Sequence, residues 1–342
     1  MDPKAIAELQ YFTYGDVLDQ SWRLLTQQRD RLRSLSDLDH VPPRFPTHIQ
    51  IQTIAGCNAS CAMCPMSRRD VRKHQKGRMR QELFEKIVKE AAAHEDCAAI
   101  SPYLQNEPLL DENLADRVRD IKTLSDGRLS ARIVTNGFLL DERRTDGLLD
   151  AGIDVISISL NAHRADTYRA TMGGLELETT LENIERLLAR KLPNVLVVLT
   201  FMVTSLNEKE IEEAVAYWSA RGVMCGAYGV GTMGGEVANF SDLQRDEPAR
   251  DWDCFVPLEA VSILSSGDVL LCCSDWSRAT TFDNVANTSV YDIWHSAPAA
   301  ELRRDAIAGR FEHPVCKKCL GQTKNPSNLI FEGGPARRHD AA

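Results

Sequence analysis

The chain has 342 residues, of which 43% are hydrophobic and 26% charged, and its formal net charge is −9 at pH 7. This composition is typical of globular proteins and excludes intrinsic disorder for most of the chain. The sequence has no apolar run of about 18 residues and no secretory signal at its N-terminus, so we expect a cytoplasmic protein without a membrane span. The acidic balance argues against nucleic acid as a partner.

Hydrophobic residues at helical spacing predict a helix over residues 1–37, followed by a proline-rich linker. We assign residues 1–46 to this N-terminal helical extension and linker. The next segment, 47–54, alternates between apolar and polar residues and predicts the first strand.

From residue 47 to residue 238, strand-like and helix-like segments alternate, which predicts βαβ units and a parallel sheet. Six units are too few for the eightfold barrel, so we expect an α/β fold with a partial (βα)6 barrel of the TIM type. The predicted strands are 47–54, 97–104, 129–135, 155–160, 195–203 and 222–230, and the predicted helices are 81–93, 112–124, 141–151, 175–192 and 208–221.

The regular alternation stops after Gly234-Gly235. We expect a small second domain of α+β type over residues 239–326, which contains five of the ten cysteines. Residues 327–342 have the composition of a flexible tail.

The ten cysteines point to metal, cluster or thiol chemistry, because structural disulfides are rare in the cytoplasm. Cys57, Cys61 and Cys64 form a C-x3-C-x2-C pattern directly after the first strand. Active sites of parallel α/β proteins lie at the carboxyl ends of the strands. Three thiolates on one such loop suit an iron–sulfur cluster with one open iron, and the alternatives are an incomplete zinc site or three unrelated buried thiols.

This motif, placed after the first strand of a (βα)6 chain, resembles the radical S-adenosylmethionine (radical SAM) superfamily over residues 47 to about 235. The resemblance implies that Cys57, Cys61 and Cys64 ligate a [4Fe–4S] cluster whose fourth iron binds SAM. Reductive cleavage of SAM would then give a 5′-deoxyadenosyl radical, the cofactor supplying the difficult chemistry. It also implies an electron donor such as flavodoxin or ferredoxin.

Further positions match the SAM-binding pattern of the family. The Gln105-Asn106-Glu107-Pro108 segment retains the Glu-Pro of the family motif but lacks its glycine. The cofactor contacts implied by the resemblance are made by Met63, Glu107, Asn136, Ser159 and Arg169. Met63 would pack near the adenine, Glu107 would bind the ammonium, and Ser159 and Arg169 would bind the carboxylate, to which a guanidinium fork is suited.

A second set of cysteines lies in the C-terminal region: Cys254, Cys272, Cys316 and Cys319. Four thiolates fit a zinc site or a fully ligated [4Fe–4S] cluster equally well. The C-x12-G-x4-C spacing, with Gly267, and the final C-x2-C resemble the twitch form of the SPASM extension of radical SAM enzymes. That resemblance implies one auxiliary [4Fe–4S] cluster, with Cys272 favoured over Cys273 as a ligand.

Cys97, Cys225 and Cys273 remain outside both sets, and free cysteines are often small buried hydrophobes. Cys225 lies on the sixth predicted strand and is the candidate catalytic residue, because a thiol there could donate a hydrogen atom to a substrate radical. Twitch enzymes resembling this chain act on small sugar-containing molecules such as aminoglycosides, aminocyclitols and nucleosides, as in antibiotic biosynthesis. Glu236, Asp253 and Asp275 are candidates to pair with amino groups of such a substrate.

We therefore predict a radical SAM enzyme that abstracts hydrogen from a carbinol carbon of a small-molecule substrate. Epimerisation through Cys225 is favoured slightly over oxidation to a ketone. Decarboxylation or dehydration of a sugar is an alternative. Modification of a ribosomal precursor peptide is another, although the N-terminal extension has no predicted three-stranded recognition element.

Overall fold

The computed structural model describes residues 44–320, apart from 191, 193, 245–253, 255 and 279. Its strands are β1 (His48–Ile51), β2 (Ala99–Ser101), β3 (Ser130–Thr135), β4 (Val155–Ser159), β5 (Leu196–Val203), β6 (Met224–Gly229), β7 (Ala260–Ile263), β8 (Asp268–Leu270) and β9 (Thr281–Asn284). Its helices are α1 (Arg69–His74), α2 (Gln81–Ala93), α3 (Leu114–Leu124), α4 (Glu142–Asp150), α5 (Ala165–Thr171), α6 (Leu177–Leu188), α7 (Glu208–Ser219), α8 (Phe240–Leu243), α9 (Val256–Glu259), α10 (Val290–Trp294), α11 (Ala297–Ile307) and α12 (Pro314–Leu320).

Strands β1 to β6 form a parallel sheet in sequential order, and helices connect them. The predicted α/β fold with a partial (βα)6 barrel is therefore confirmed. Two short helices, α1 and α5, were not predicted, because six or seven residues carry too little hydrophobic periodicity. The predicted helix over 1–37 and the tail over 327–342 lie outside the described residues.

The sheet does not end at β1. Strand β7 pairs with β1 in parallel, from His48 opposite Ala260 to Ile51 opposite Ile263. Strands β8 and β9 then continue antiparallel, giving one nine-stranded sheet in the order β6-β5-β4-β3-β2-β1-β7-β8-β9. The strands of the C-terminal region thus extend the barrel sheet.

The two faces of the sheet differ in chemistry. Side chains of one face, among them Ile49, Ile133, Ile156, Ile158 and Leu199, are buried in the main hydrophobic core beneath the helices. The intervening residues belong to the opposite, concave face, because side chains alternate along a strand. That face carries the polar side chains His48, Gln50, Ser101, Arg132, Ser157, Ser159 and Thr200 among apolar ones such as Val134, Val155 and Val198.

Gly267 makes the turn between β7 and β8 with a positive φ of +94°. A Cβ at this position would lie 2.6 Å from Oδ1 of Asn284 and 3.2 Å from Cδ2 of Leu83. The Asn284 amide nitrogen Nδ2 donates to the Ser266 carbonyl at 3.1 Å, which holds the turn against β9. Both the backbone angle and the close packing therefore require glycine here.

No helix among the described residues is long and apolar enough to span a bilayer.

Candidate active site

The loop after β1 carries the first three predicted cluster ligands. Backbone amides turn back onto two of the thiols, Ala59 N onto Cys57 Sγ at 3.4 Å and Met66 N onto Cys64 Sγ at 3.4 Å. Burial raises the pKa of Cys57 to about 12 and that of Cys64 to about 11. Burial followed by the proximity of Cys64 and Cys57 raises the pKa of Cys61. The three thiols thus lie on one loop at the carboxyl end of β1, near enough for their charges to influence one another. As placed, the described residues contain no group of three or more His, Cys, Asp or Glu side chains that could hold a metal ion, so the ligand roles stay predictions.

Arg72, on α1, holds this loop in place, a role that the sequence analysis missed. Its guanidinium donates to the carbonyl oxygens of Ala59 at 2.6 Å, Met66 at 3.0 Å and Cys57 at 3.4 Å. These bonds fix three points around the cysteines, since charge-assisted hydrogen bonds are the stronger ones. In the sequence, Arg72 is one of several cations in a basic run, which normally indicates a solvated surface.

Glu107 joins the ends of β2 and β3. Its buried carboxylate accepts hydrogen bonds from Leu109 N at 3.0 Å, Thr135 Oγ1 at 2.6 Å and Asn136 N at 2.9 Å. Burial raises the pKa of Glu107 to about 6 despite these bonds. An ionised carboxylate has about four acceptor sites, so one remains for the predicted contact with the SAM ammonium.

Asn136 connects β3 to the cysteine loop. Its Nδ2 donates to Oδ1 of Asn58 at 2.7 Å, and its own Oδ1 accepts from Phe138 N at 3.0 Å. The predicted cofactor residues Glu107 and Asn136 therefore lie together, directly beside the loop of the three cysteines.

The other predicted SAM contacts lie on different elements of the fold. Met63 is buried against Val230, Val237 and Leu243, which follow β6. Ser159 lies at the carboxyl end of β4 on the concave face. Arg169 is exposed on α5. The SAM-binding roles of Met63, Ser159 and Arg169 stay predictions.

The ends of β1 and β2 also contain polar atoms without a partner. Asn58 Nδ2, Gln105 Oε1 and Asn106 Nδ2 are buried and form no hydrogen bond among the described residues. Unsatisfied buried polar atoms are destabilising. Donors and an acceptor placed so close to three thiols fit a polar cofactor with amino and carboxylate groups.

The second cysteine set also converges. Burial and then the neighbouring cysteines Cys319, Cys273 and Cys316 raise the pKa of Cys254 to about 12. Burial, followed by the charge of Cys319, raises the pKa of Cys316 to about 11. Burial, followed by the charges of Cys273 and Cys254, raises the pKa of Cys272. Thiols near one another in this way have the donor chemistry of a metal-centred group that stabilises thiolates, and their assignment as ligands stays a prediction.

Cys273 packs against an apolar cluster of Leu104, Leu264 and Leu270. Both Cys272 and Cys273 lie near other cysteines of the second set, Cys272 near Cys254 and Cys273 near Cys319, so the choice of Cys272 as the fourth ligand stays a prediction from the spacing.

The two cysteine regions are connected through Gln105. This residue lies in the loop after β2 with a positive φ of 52°, and its Nε2 donates to the carbonyl oxygens of Cys273 at 3.0 Å and Asp275 at 3.1 Å. Neither contact could be predicted, because 168 and 170 residues separate the partners.

Cys225, the predicted hydrogen-atom donor, lies on the helix-packed side of the sheet, and its catalytic role stays a prediction. Cys225 is opposite Leu199 in the β5–β6 register, and paired residues of parallel strands face the same side. Leu199 is buried beneath the helices, and the Cys225 thiol contacts the Val223 carbonyl at 3.6 Å and Ser219 at the end of α7. The thiol therefore belongs to the helix-packed core, away from the concave face.

Comparison with known proteins agrees with this arrangement. Residues 51–217 match the model of the Radical SAM superfamily, and residues 254–320 match the SPASM model, described as an iron–sulfur cluster-binding domain. The chain is 22% identical over 272 residues to S-adenosyl-L-methionine-dependent 2-deoxy-scyllo-inosamine dehydrogenase of Niallia circulans, covering 79% of this chain and 91% of the relative.

Two solved structures share the fold. The crystal structure of BtrN in complex with AdoMet and 2-DOIA matches with a TM-score of 0.54 at 20% identity, over 85% of this chain and 96% of BtrN. SuiB of Streptococcus suis, bound to the precursor peptide SuiA, matches with a TM-score of 0.63 at 14% identity, over 88% of this chain and 76% of SuiB.

Proposed function

We propose that this chain, which belongs to the radical SAM superfamily and has a SPASM-type domain, oxidises a carbinol carbon of a small polyhydroxylated substrate to a ketone. The family implies SAM and two [4Fe–4S] clusters as cofactors. Both cysteine sets and the unpartnered polar atoms beside the first set fit these groups.

Cys57, Cys61 and Cys64 would hold the cluster that, with SAM, would supply the chemistry for removing a hydrogen atom, and the second cysteine set would hold a cluster able to take up one electron. Oxidation of an alcohol to a ketone removes two hydrogen atoms in all, as one hydrogen atom, one proton and one electron. The chain contributes the positions of these groups: Arg72 and Asn136 hold the first loop, and Gln105 holds the second loop against it.

The placement of Cys225 is the observation that supports oxidation over epimerisation. An epimerase must return a hydrogen atom to the opposite face of the substrate radical, and the thiol predicted to do so faces the helices. Oxidation needs no such donor. The dehydrogenase named above, matched over nearly its whole length, supports the same reaction type.

The test is a product assay with anaerobically reconstituted enzyme, SAM and dithionite, on a panel of cyclitols and sugars that includes 2-deoxy-scyllo-inosamine. We expect 5′-deoxyadenosine and a product lighter by two hydrogen atoms, in equal amounts. An epimerase would instead give a product with the same mass as the substrate in ordinary water, and a product containing deuterium when the reaction is run in deuterated water. Loss of carbon dioxide or water would identify the elimination alternatives, and SAM cleavage dependent on a peptide would identify the peptide alternative.

The electron that starts the reaction has a candidate entry point. The segment after Cys64 carries four exposed cations without an ion-pair partner among the described residues: Arg69, Lys73, Lys76 and Arg80. Arg72, in the same segment, bonds directly to the cysteine loop. In a chain of net charge −9, this local basic surface favours docking of an acidic electron-transfer protein such as a flavodoxin or ferredoxin.

A further inference from the structure

The concave face of the sheet contains one charged side chain on strands β1 to β6, and it is a cation. The six strands include no aspartate and no glutamate, and Arg132 is their only lysine or arginine. Ile133 is buried with Ile156 beneath the helices, so the adjacent Arg132 belongs to the concave face.

Arg132 is exposed although it lies on a strand flanked by β2 and β4. Its Nε donates to Ser130 Oγ at 3.0 Å, and no carboxylate among the described residues pairs with its terminal nitrogens. The nearest acidic residue of the adjoining β4 segment, Asp154, is occupied by Lys122 Nζ at 2.8 Å. The guanidinium is therefore free to bind a ligand.

Uncharged polar groups lie beside this position on the side of β2 and β1, whereas its partner on β4 is Val155. Register places Gln50 opposite Ser101 on neighbouring strands, and Ser262 Oγ donates to Gln50 Oε1 at 3.2 Å. His48 Nε2 lies 2.8 Å from Ser101 Oγ. Burial and the neighbouring Arg132 lower the pKa of His48 to about 4, so the ring is neutral near pH 7. Together with Arg132, these side chains therefore offer a ligand hydrogen bonds and a single positive charge.

The carboxylates suggested for binding an amino group do not lie on strands β1 to β6. Glu236 forms an ion pair with Arg68 at 2.6 Å. Asp275, in the loop that Gln105 contacts, accepts hydrogen bonds at Oδ1 from Ser277 and from the Arg278 backbone, and its Oδ2 has no partner among the described residues. Asp253 lies outside the described residues.

We propose that Arg132, with Ser101 and Gln50, forms an anion-binding site on the concave face that selects a polyhydroxylated substrate carrying a carboxylate or phosphate. A guanidinium binds either group through paired hydrogen bonds. This inference rests on the proposed function only in taking the ligand to be the substrate. By this inference, the substrate of this chain carries a negative charge, unlike an aminocyclitol whose only charge is a cationic amino group.

The distance from this site to the predicted SAM contacts suits such a molecule. Along β3, Arg132 precedes Asn136 by four residues, or about 13 Å at strand rise. Asn136 contacts the cysteine loop. A sugar acid or sugar phosphate bound by Arg132 can therefore extend towards the carboxyl ends of the strands, where hydrogen abstraction would occur.

The experiment measures binding of matched probes to the reconstituted, SAM-loaded enzyme without reductant, by anaerobic calorimetry. The probes are glucose, glucosamine, glucuronate, glucose 6-phosphate and inorganic phosphate. We expect one or both anionic sugars to bind at least about tenfold more tightly than glucose or glucosamine, a difference typical of one charge-assisted interaction. Stronger binding of glucose 6-phosphate or of glucuronate identifies the phosphate or the carboxylate as the recognised group.

Arg132→Gln should remove the preference for anions, and Arg132→Lys should retain part of it. Arg143→Gln is the matched control and should bind as wild type does, because it changes an exposed arginine on α4 that has no partner among the described residues. Tighter binding of glucosamine, anion binding unchanged in Arg132→Gln, or no binding of any anion would overturn the proposal. Because no turnover is involved, failure to oxidise a substrate would count against the proposed function alone.

Discussion

The side-chain amide of Gln105 donates a hydrogen bond to the carbonyl oxygen of Asp275 at 3.1 Å, linking the end of β2 to the loop that follows Cys272 and Cys273. Together with the bond to the Cys273 carbonyl, it holds the two cysteine regions in a common frame. This contact allows the relation between hydrogen abstraction and substrate oxidation to be tested.

Replacing Gln105 by Leu should lower stability by about 1–3 kcal/mol, because buried carbonyl groups lose their donor. We also expect less oxidised product per 5′-deoxyadenosine, since the second loop would be less firmly positioned. The measurements are the thermal midpoint of the holoenzyme and the product ratio. Gln81→Leu, which removes a side-chain amide on α2, is the control. An unchanged product ratio in Gln105→Leu would remove the positioning role.

Cys225→Ala should leave product formation and SAM cleavage nearly unchanged. The thiol lies in the helix-packed core, so the expected effect is a loss of stability of about 1 kcal/mol from a small cavity. Cys97→Ala, another buried cysteine of the same core, should behave alike. Product mass spectrometry and the thermal midpoint provide the check. Loss of product with SAM cleavage retained would restore Cys225 as a hydrogen donor.

Arg72→Gln should weaken retention of the SAM-binding cluster, because three loop carbonyls lose a cationic donor. After reconstitution and desalting, we expect iron per chain to fall from about eight towards about four. Lys73→Gln alters an exposed neighbour that makes no hydrogen bond to the loop among the described residues, and it should keep the full iron content. Equal iron in the two variants would show that Arg72 is dispensable for the loop.

The neutral His48 ring should make stability depend on pH. Its pKa is lowered to about 4 in the fold, so between pH 6.5 and 4 the unfolded chain binds a proton that the folded chain does not. The stabilisation is present above pH 6.5 and is lost as pH falls, by up to about 1.4 kcal/mol per pH unit. The thermal midpoint of wild type should therefore fall more steeply from pH 7.5 to 5.5 than that of His48→Gln. Parallel curves would contradict this account.

Charge reversal of the basic segment should impair delivery of electrons by a protein and not by a small reductant. We expect Lys73→Glu with Lys76→Glu to slow flavodoxin-driven SAM cleavage about tenfold or more at low salt, with the difference shrinking as salt rises. Dithionite-driven cleavage should stay unchanged. Arg143→Glu, on α4, is the control. Equal slowing with both reductants would indicate damage to the site instead of a lost docking surface.

The sequence was sufficient to predict the partial barrel because a strand pattern and a cysteine motif lie next to each other in it. Alternating residues before Cys57 predicted β1, and the spacing of Cys57, Cys61 and Cys64 then identified the functional end of the sheet. The resemblance also singled out Glu107 and Asn136, which the structure places beside those cysteines.

Other features depend on tertiary contacts that a linear pattern does not contain. The side of the sheet that Cys225 faces follows from its register with Leu199, whereas the segment Met224–Gly229 has no clear alternation. Arg72 could not be distinguished from its solvated basic neighbours. The pairing of β1 with β7 joins residues about 212 positions apart, as in the contact between Thr47 and Glu259.

That pairing of β1 with β7 bears on any attempt to shorten the protein. Removing everything after β6 would leave β1 as a bare edge strand, with unpaired backbone groups from His48 to Ile51 beside the cysteine loop. Such an edge invites intermolecular pairing and aggregation. The C-terminal region therefore works as a structural cover for the barrel as well as a holder of thiols, and a barrel fragment without it is expected to be insoluble.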